Sequence, residues 1–153
     1  MSDILGKILG IIIAFILCIL APLTVVIMSD DMVDRRAIYS EMTTFIDQVI
    51  DTGELTEAQL SDFMYGISSY GPICEVRITR HIRIVNPAEG GGIVVSYTPT
   101  DVFNEGKDIT FNQGDLIQVH VEAVEYTGTQ RVARLTLGTA LQPIDYTVTG
   151  RVR

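Results

Sequence analysis

From Ile8 to Met28 the chain reads ILGIIIAFILCILAPLTVVIM, 21 residues without a charge. As a helix this run crosses roughly 30 Å of hydrocarbon, and a helix is the form that satisfies every backbone group there internally. Pro22 lies inside the run, where it removes one backbone donor and predicts a bend or a local loosening. A cleaved secretory signal is the alternative reading. The length of the run and the flank SDDMVDRR, which lacks a small-x-small cleavage site, favour a retained anchor.

The charges fall on the other side of this run. The chain carries a formal net charge of −8, and because Asp3 and Lys7 cancel, the whole excess lies downstream. Such an acidic surface is the opposite of a phosphate-binding footprint, so no nucleic acid is expected as a partner. Membrane lipid is expected instead. Lys7 on one flank and the acidic break after the run on the other place the C-terminal part outside the cytoplasm; Arg35 and Arg36 pull the other way. Localisation is read as a single-pass cell membrane protein with an extracytoplasmic domain, or a surface filament.

Beyond the membrane the helical period continues. Met32, Val33, Ile38, Met42, Phe45, Ile46, Val49 and Ile50 recur at spacings of three and four, which predicts an amphipathic helix to about Asp51. Gly53 breaks it. Thr56 and Gln59 have capping-box spacing, with Leu55 and Leu60 placed as a staple, so a short helix is expected from Thr56 to Ser69. Leu60, Phe63, Met64 and Ile67 form its apolar stripe, and Tyr70-Gly71-Pro72 ends it.

After Pro72 the period becomes two. Cys74, Val76, Ile78, Ile82 and Ile84 share one face of a strand, with Arg80 the exception; Glu75, Arg77, Thr79, His81 and Arg83 share the other. Glu89 to Gly92 reads as a turn. Further strands are expected at 93–97, 108–111, 116–126, 131–137 and 146–153, with turns at 112–115 and 127–129. The fold class is α+β, a long N-terminal helix packed on a small, mostly antiparallel sheet. Residues 1–29 form the membrane or filament-core helix, 30–72 the helical stem and short second helix, and 73–153 the sheet domain.

Residues suited to chemistry are sparse. His81 and His120 both fall on polar strand faces, and neither they nor Cys74 show zinc-ligand spacing. Asp101, Glu105, Asp108 and Asp115 depart from a calcium loop pattern and read as solvated carboxylates. No nucleophile elbow, phosphate-binding loop or dinucleotide fingerprint is present. The chain is read as a non-enzyme without metal or cofactor. The face bearing Arg77, His81 and Arg83 is a candidate contact surface. Gly6, Gly10, Ala14 and Ala21 are small enough to let apolar helices approach closely, with Pro22 beside them.

The apolar helix Ile8 to Met28 with Pro22, its amphipathic continuation, the strand domain from Ile73, the run D-x-x-D-T-G-E-L-T at Asp47 to Thr56 and F-N-Q-G-D at Phe111 to Asp115 together resemble type IV pilin-like proteins, of the tight-adherence or conjugation-associated kinds of Gram-positive bacteria. The resemblance implies a pilin-like fold and a structural subunit of a surface filament or secretion apparatus. It implies association with copies of itself or related subunits through the N-terminal helix, and cleavage after a glycine, Gly6 or Gly10. The glutamate usual five residues beyond cleavage is absent, since those positions hold Ile11 and Phe15, and Lys7 is nearly the whole basic leader. Both departures fit an accessory or uncleaved subunit. The alternative reading is a monomeric membrane-tethered binding or scaffold domain of an envelope complex.

Overall fold

The computed structural model describes residues 2–70, 72–87, 92–102, 108–138 and 142–153. Glu89 to Gly91 of the expected turn, Gly71 and Glu105 lie outside them. Helix α1 spans Ser2–Thr52 and is followed by β1 (Glu54–Leu55), α2 (Glu57–Ser68), β2 (Cys74–Pro87), β3 (Ile93–Asp101), β4 (Ile109–Thr110), β5 (Leu116–Ala123), α3 (Gly128–Leu137) and β6 (Asp145–Arg151). The class is α+β, with the long helix packed on a four-stranded antiparallel sheet of order β3-β2-β5-β6.

α1 changes character partway along one unbroken helix. From Ile8 to Met28 it is apolar and exposed apart from half-buried Thr24 and buried Ile27; its second half buries Ile38, Met42, Phe45, Ile46 and Val49. The expected stripe is shorter at its start, because Met32 and Val33 are exposed. The buried position one heptad before Ile38 is Asp31, which meets the rest of the chain through polar contacts.

The inward residues of the sheet are those that the alternation indicates: Val76 and Ile78 on β2, and Ile117, Val119, Val121 and Ala123 on β5. They pack with the α1 stripe and with Phe63 and Ile67 of α2. Phe45 and Phe63 stack at 4.2 Å between centroids, fastening α2 to α1. The α2 capping box forms as its spacing implies: Gln59 N–H donates to the Thr56 hydroxyl at 3.2 Å, and Thr56 N–H donates to Gln59 Oε1 at 2.9 Å.

Gly150 shows how tightly α1 lies on the sheet. A β carbon there would fall 2.6 Å from Ile46 Cγ2 and closer still to Ile50 Cδ1. Nearer the apolar half, Tyr146 meets Tyr39 edge-on at 5.8 Å. β6 therefore runs in the same direction as α1. Alternation of strand direction makes β2 run the same way, while β5 runs back toward the apolar half.

Four expectations need correction. Residues 131–137 are helix rather than strand, and Thr127 is the N-cap of α3 rather than part of a turn. A second capping box is the reason: Gln130 N–H donates to the Thr127 hydroxyl and Thr127 N–H to Gln130 Oε1, both at 3.1 Å. β5 stops at Ala123 instead of Tyr126. β4, a strand expected without an assigned partner, pairs with β1 in a separate two-stranded sheet. Finally, Ile84 is exposed, because β2 and β3 continue beyond the first residue of β5, past the part of the sheet that α1 and β5 cover.

Substituting Gly150→Val should lower unfolding free energy by about 1–3 kcal/mol, the usual cost of overpacking. Urea titration of the detergent-solubilised chain checks this; an unchanged midpoint would mean that α1 can lift off the sheet at no cost.

Candidate assembly interface

The largest exposed feature is the first half of α1. Among the described residues this helix alone is long and apolar enough to cross a membrane. Ile4, Leu5, Ile11, Phe15, Leu17 and Val25 are each more than 60% exposed. At 100° per residue, Gly6, Gly10, Ala14 and Ala21 fall within about 80° of one another, a single small-residue stripe, with Phe15 on the opposite side. No atom lies within 4 Å of a β carbon built at Gly6 or Gly10. The helix passes through Pro22 without interruption, and the Thr24 hydroxyl donates to the carbonyls of Leu20 and Ala21 just before it.

Where α1 leaves the apolar segment, a polar clamp holds the domain. Gln130 Nε2 donates to Asp31 Oδ1 at 2.7 Å and Arg35 Nε to Asp31 Oδ2 at 2.6 Å, while Arg35 Nη2 donates to the Gln142 carbonyl. Asp31 thus ties α3 to the helix, and Arg35 ties the segment before β6 to it. Burial, followed by the nearby charges of Asp30 and Asp31, raises the carboxyl pKa of neighbouring Asp34 above 3.8.

The sheet face turned away from α1 is open and carries Arg77, His81 and Arg83 in alternate positions of β2. They have separate settings. Arg77 Nε donates to Glu75 at 2.8 Å, and this ion pair raises its pKa. His81 Nε2 lies 2.9 Å from Gln118 Oε1. The Arg83 side chain lies over Gly114, whose φ of +93° and lack of a β carbon make room for it; Arg151 reaches the same spot. Arg83, Arg151 and Arg153 line a hollow of about 420 Å³ together with Gln113 and Val152. At the other end of this face are Glu122 and Asp145, each 3.7 Å from a nitrogen of His120.

Beneath Gly114 is a pair whose role the sequence reading did not identify. Asp115, expected to be solvated, is 1% exposed. Its carboxylate accepts from Arg80 at 2.6 and 3.1 Å, from Arg83 N–H at 2.9 Å and from Asn112 N–H at 3.1 Å. Burial alone would raise its pKa. The Arg83 amide, the Arg80 guanidinium and the Asn112 amide outweigh that and hold it below 3.8. Arg80, the exception on the apolar face of β2, is the partner this carboxylate requires, and its guanidinium also lies 5.1 Å from the Phe111 ring centroid.

Among the described residues no group of three histidine, cysteine, aspartate or glutamate side chains converges as metal ligands would. The register places Cys74 on the sheet face opposite His81 and His120. Both cysteines are free. Asp108 Oδ1 accepts from the Glu57 amide at 3.1 Å, at the start of α2.

No family model, curated protein or solved structure matches this chain.

Replacing Asp115 with Asn should cost about 3–5 kcal/mol, because it leaves the Arg80 charge without its partner. Because the native carboxylate pKa is depressed, its contribution is complete above the unfolded value near 3.8 and disappears as pH falls through the lower folded value. Urea midpoints of native and Asp115→Asn chains should thus differ at pH 7 and converge well below pH 3.8. A constant difference across that range would contradict the assignment.

Proposed function

We propose that this chain is a structural subunit, held in the membrane by α1 and assembled through α1 into a cell-surface filament whose exterior is the sheet domain. The observation that carries this reading is one continuous helix, Ser2–Thr52, with an apolar exposed half and a half buried by its own domain. Hydrocarbon can cover the first half while the subunit is stored. Other copies of the same helix can cover it in an assembly, where the small-residue stripe allows close approach. The resemblance to type IV pilin-like proteins supports the same reading. The domain is then extracytoplasmic, and its acidic surface keeps the assembly soluble.

A second reading is a monomeric tethered binding domain. It is favoured by the arginine-lined hollow on the open sheet face, which presents Arg83 and Arg151 without an acidic partner among the described residues.

Filaments in the fraction sheared from expressing cells, containing this chain by intact mass, are the expected result. The mass also reports whether cleavage falls after Gly6, after Gly10 or nowhere. Gly10→Leu should reduce the filament fraction by about tenfold while membrane levels stay constant, corresponding to roughly 1.4 kcal/mol at the helix contact. A chain that stays monomeric in the membrane, with no sheared fraction, selects the tethered-domain reading.

A further inference from the structure

The direction of α1 gives the sheet domain two distinct ends. The end nearest the apolar half of α1 is membrane-proximal. It carries α3, the start of β2 and the end of β5. The far end carries the turn before β5 and the end of β6. β5 begins opposite His81, yet β2 continues to Pro87, paired with β3 back to Ile93. Six residues at 3.3 Å each make a two-stranded arm that reaches about 20 Å past the far end of the sheet.

This arm is apolar on both sides. Val85, Val95 and Ile93 lie on the face shared with Arg83, and Ile84 and Val94 on the other; all are exposed, Ile93 to 73%. Among the described residues β3 is also an edge strand of the four-stranded sheet. An isolated two-stranded ribbon with uncovered apolar faces is marginal in water and requires a partner.

The proximal end carries a second uncovered apolar surface. Ile73, Val124, Tyr126 and Leu135 are exposed there, Leu135 to 86%. Next to them is a hollow of about 220 Å³, lined in part by Pro72, Ile73, Tyr126 and Gly128. The two ends differ in charge: the far end is rich in arginine, while the proximal end is mixed, with Arg134 over the Tyr126 ring and His120 between Glu122 and Asp145. Arg83 and Arg151 flank the root of the arm with no carboxylate partner among the described residues, whereas Glu122 and Asp145 are exposed at the proximal end, with Glu75 and Glu125 already paired to Arg77 and Arg131.

We propose that the β2–β3 arm of one copy docks on the membrane-proximal apolar surface of the next copy, so that domains join head to tail. The exposed apolar surfaces at both ends of the same domain, with Arg83 and Arg151 beside one and the Glu122–Asp145 pair beside the other, point to a second copy of this chain as the occupant. Because the two surfaces differ, the contact is heterologous and extends without closing, as a filament requires. It also runs along α1, so each contact raises the effective concentration for the other. This inference rests on the filament reading and names the contact that the domains make within it.

The test uses the full chain in detergent micelles, where detergent covers the apolar half of α1, with mass measured by sedimentation. Val85→Asp alters the arm and Leu135→Asp the proximal surface. Both side chains are exposed, and circular dichroism should show an unchanged fold. The native chain should form a ladder of multiples with rising concentration. Each variant alone should need about tenfold more protein to associate, as for a central interface position. Mixed at equal amounts they should form dimers that grow no further, because only one intact arm and one intact surface remain per pair. A charge exchange is the second test: Arg151→Glu should weaken association, and a Glu122→Arg partner should restore it. Native chains that remain single, variants that associate like the native chain, or a mixture that does not pair each overturn the proposal. Filaments that persist in cells despite such a result leave α1 as the carrier of assembly. Head-to-tail association in micelles without filaments in cells removes the filament reading alone.

Discussion

The rest of the structure depends on α1 meeting two environments without a break in its backbone. A helix can do this because its hydrogen bonds are internal, so only the side chains must change where the solvent changes. They do so over one turn, between Met28 and Asp31. From Ile38 to Val49 the stripe is buried, and the sheet is laid against it closely enough to exclude a β carbon at Gly150. The direction of α1 then determines the direction of β6, β5 and β2 in turn, and so determines which end of the domain lies nearer the apolar half of the helix.

Two polar devices hold this arrangement where apolar packing ends. Asp31 collects Gln130 and Arg35 at the proximal end, and Asp115 collects Arg80 and two backbone amides at the far end. Buried charges of this kind contribute little net stability compared with apolar packing, but removing one partner is costly. They therefore act against alternative placements. A domain slid along α1 would leave Asp31 without Gln130, and a shifted β2 register would separate Arg80 from Asp115.

Much of this was legible in the chain itself, because a period reports the face that an element buries. The uncharged run, the α1 stripe from Ile38, the Thr56–Gln59 box and the alternation of β2 as far as Ile78 and of β5 took the forms that their spacing implies. α3 was misread because Ala133, Leu135 and Leu137 alternate with Arg134 and Thr136, as strand residues do. The decisive signal was Thr127 with Gln130, the same spacing as Thr56 with Gln59, and Gly138, which closes the helix in the left-handed region. Asp115 was misread for a different reason. Its partner Arg80 is 35 residues away in the chain, and only the strand register brings the two together. The exposure of the arm was likewise invisible, since alternation marks two faces without showing whether anything covers them.

Net charge and local charge have different consequences here. At −8, copies of the domain repel one another at a distance, which favours solubility. At physiological ionic strength that repulsion decays over about 8 Å, so at contact the charges that matter are those within a few residues of the interface. Those charges are not a random sample of the whole. Arg83 and Arg151 stand together at the far end despite their like charge, while Glu122 and Asp145 stand together at the near end. Each grouping raises the energy of the isolated domain slightly. In the head-to-tail array that we propose, each grouping would instead be stabilised by its opposite, and a side-by-side or inverted pairing would place like charges in contact.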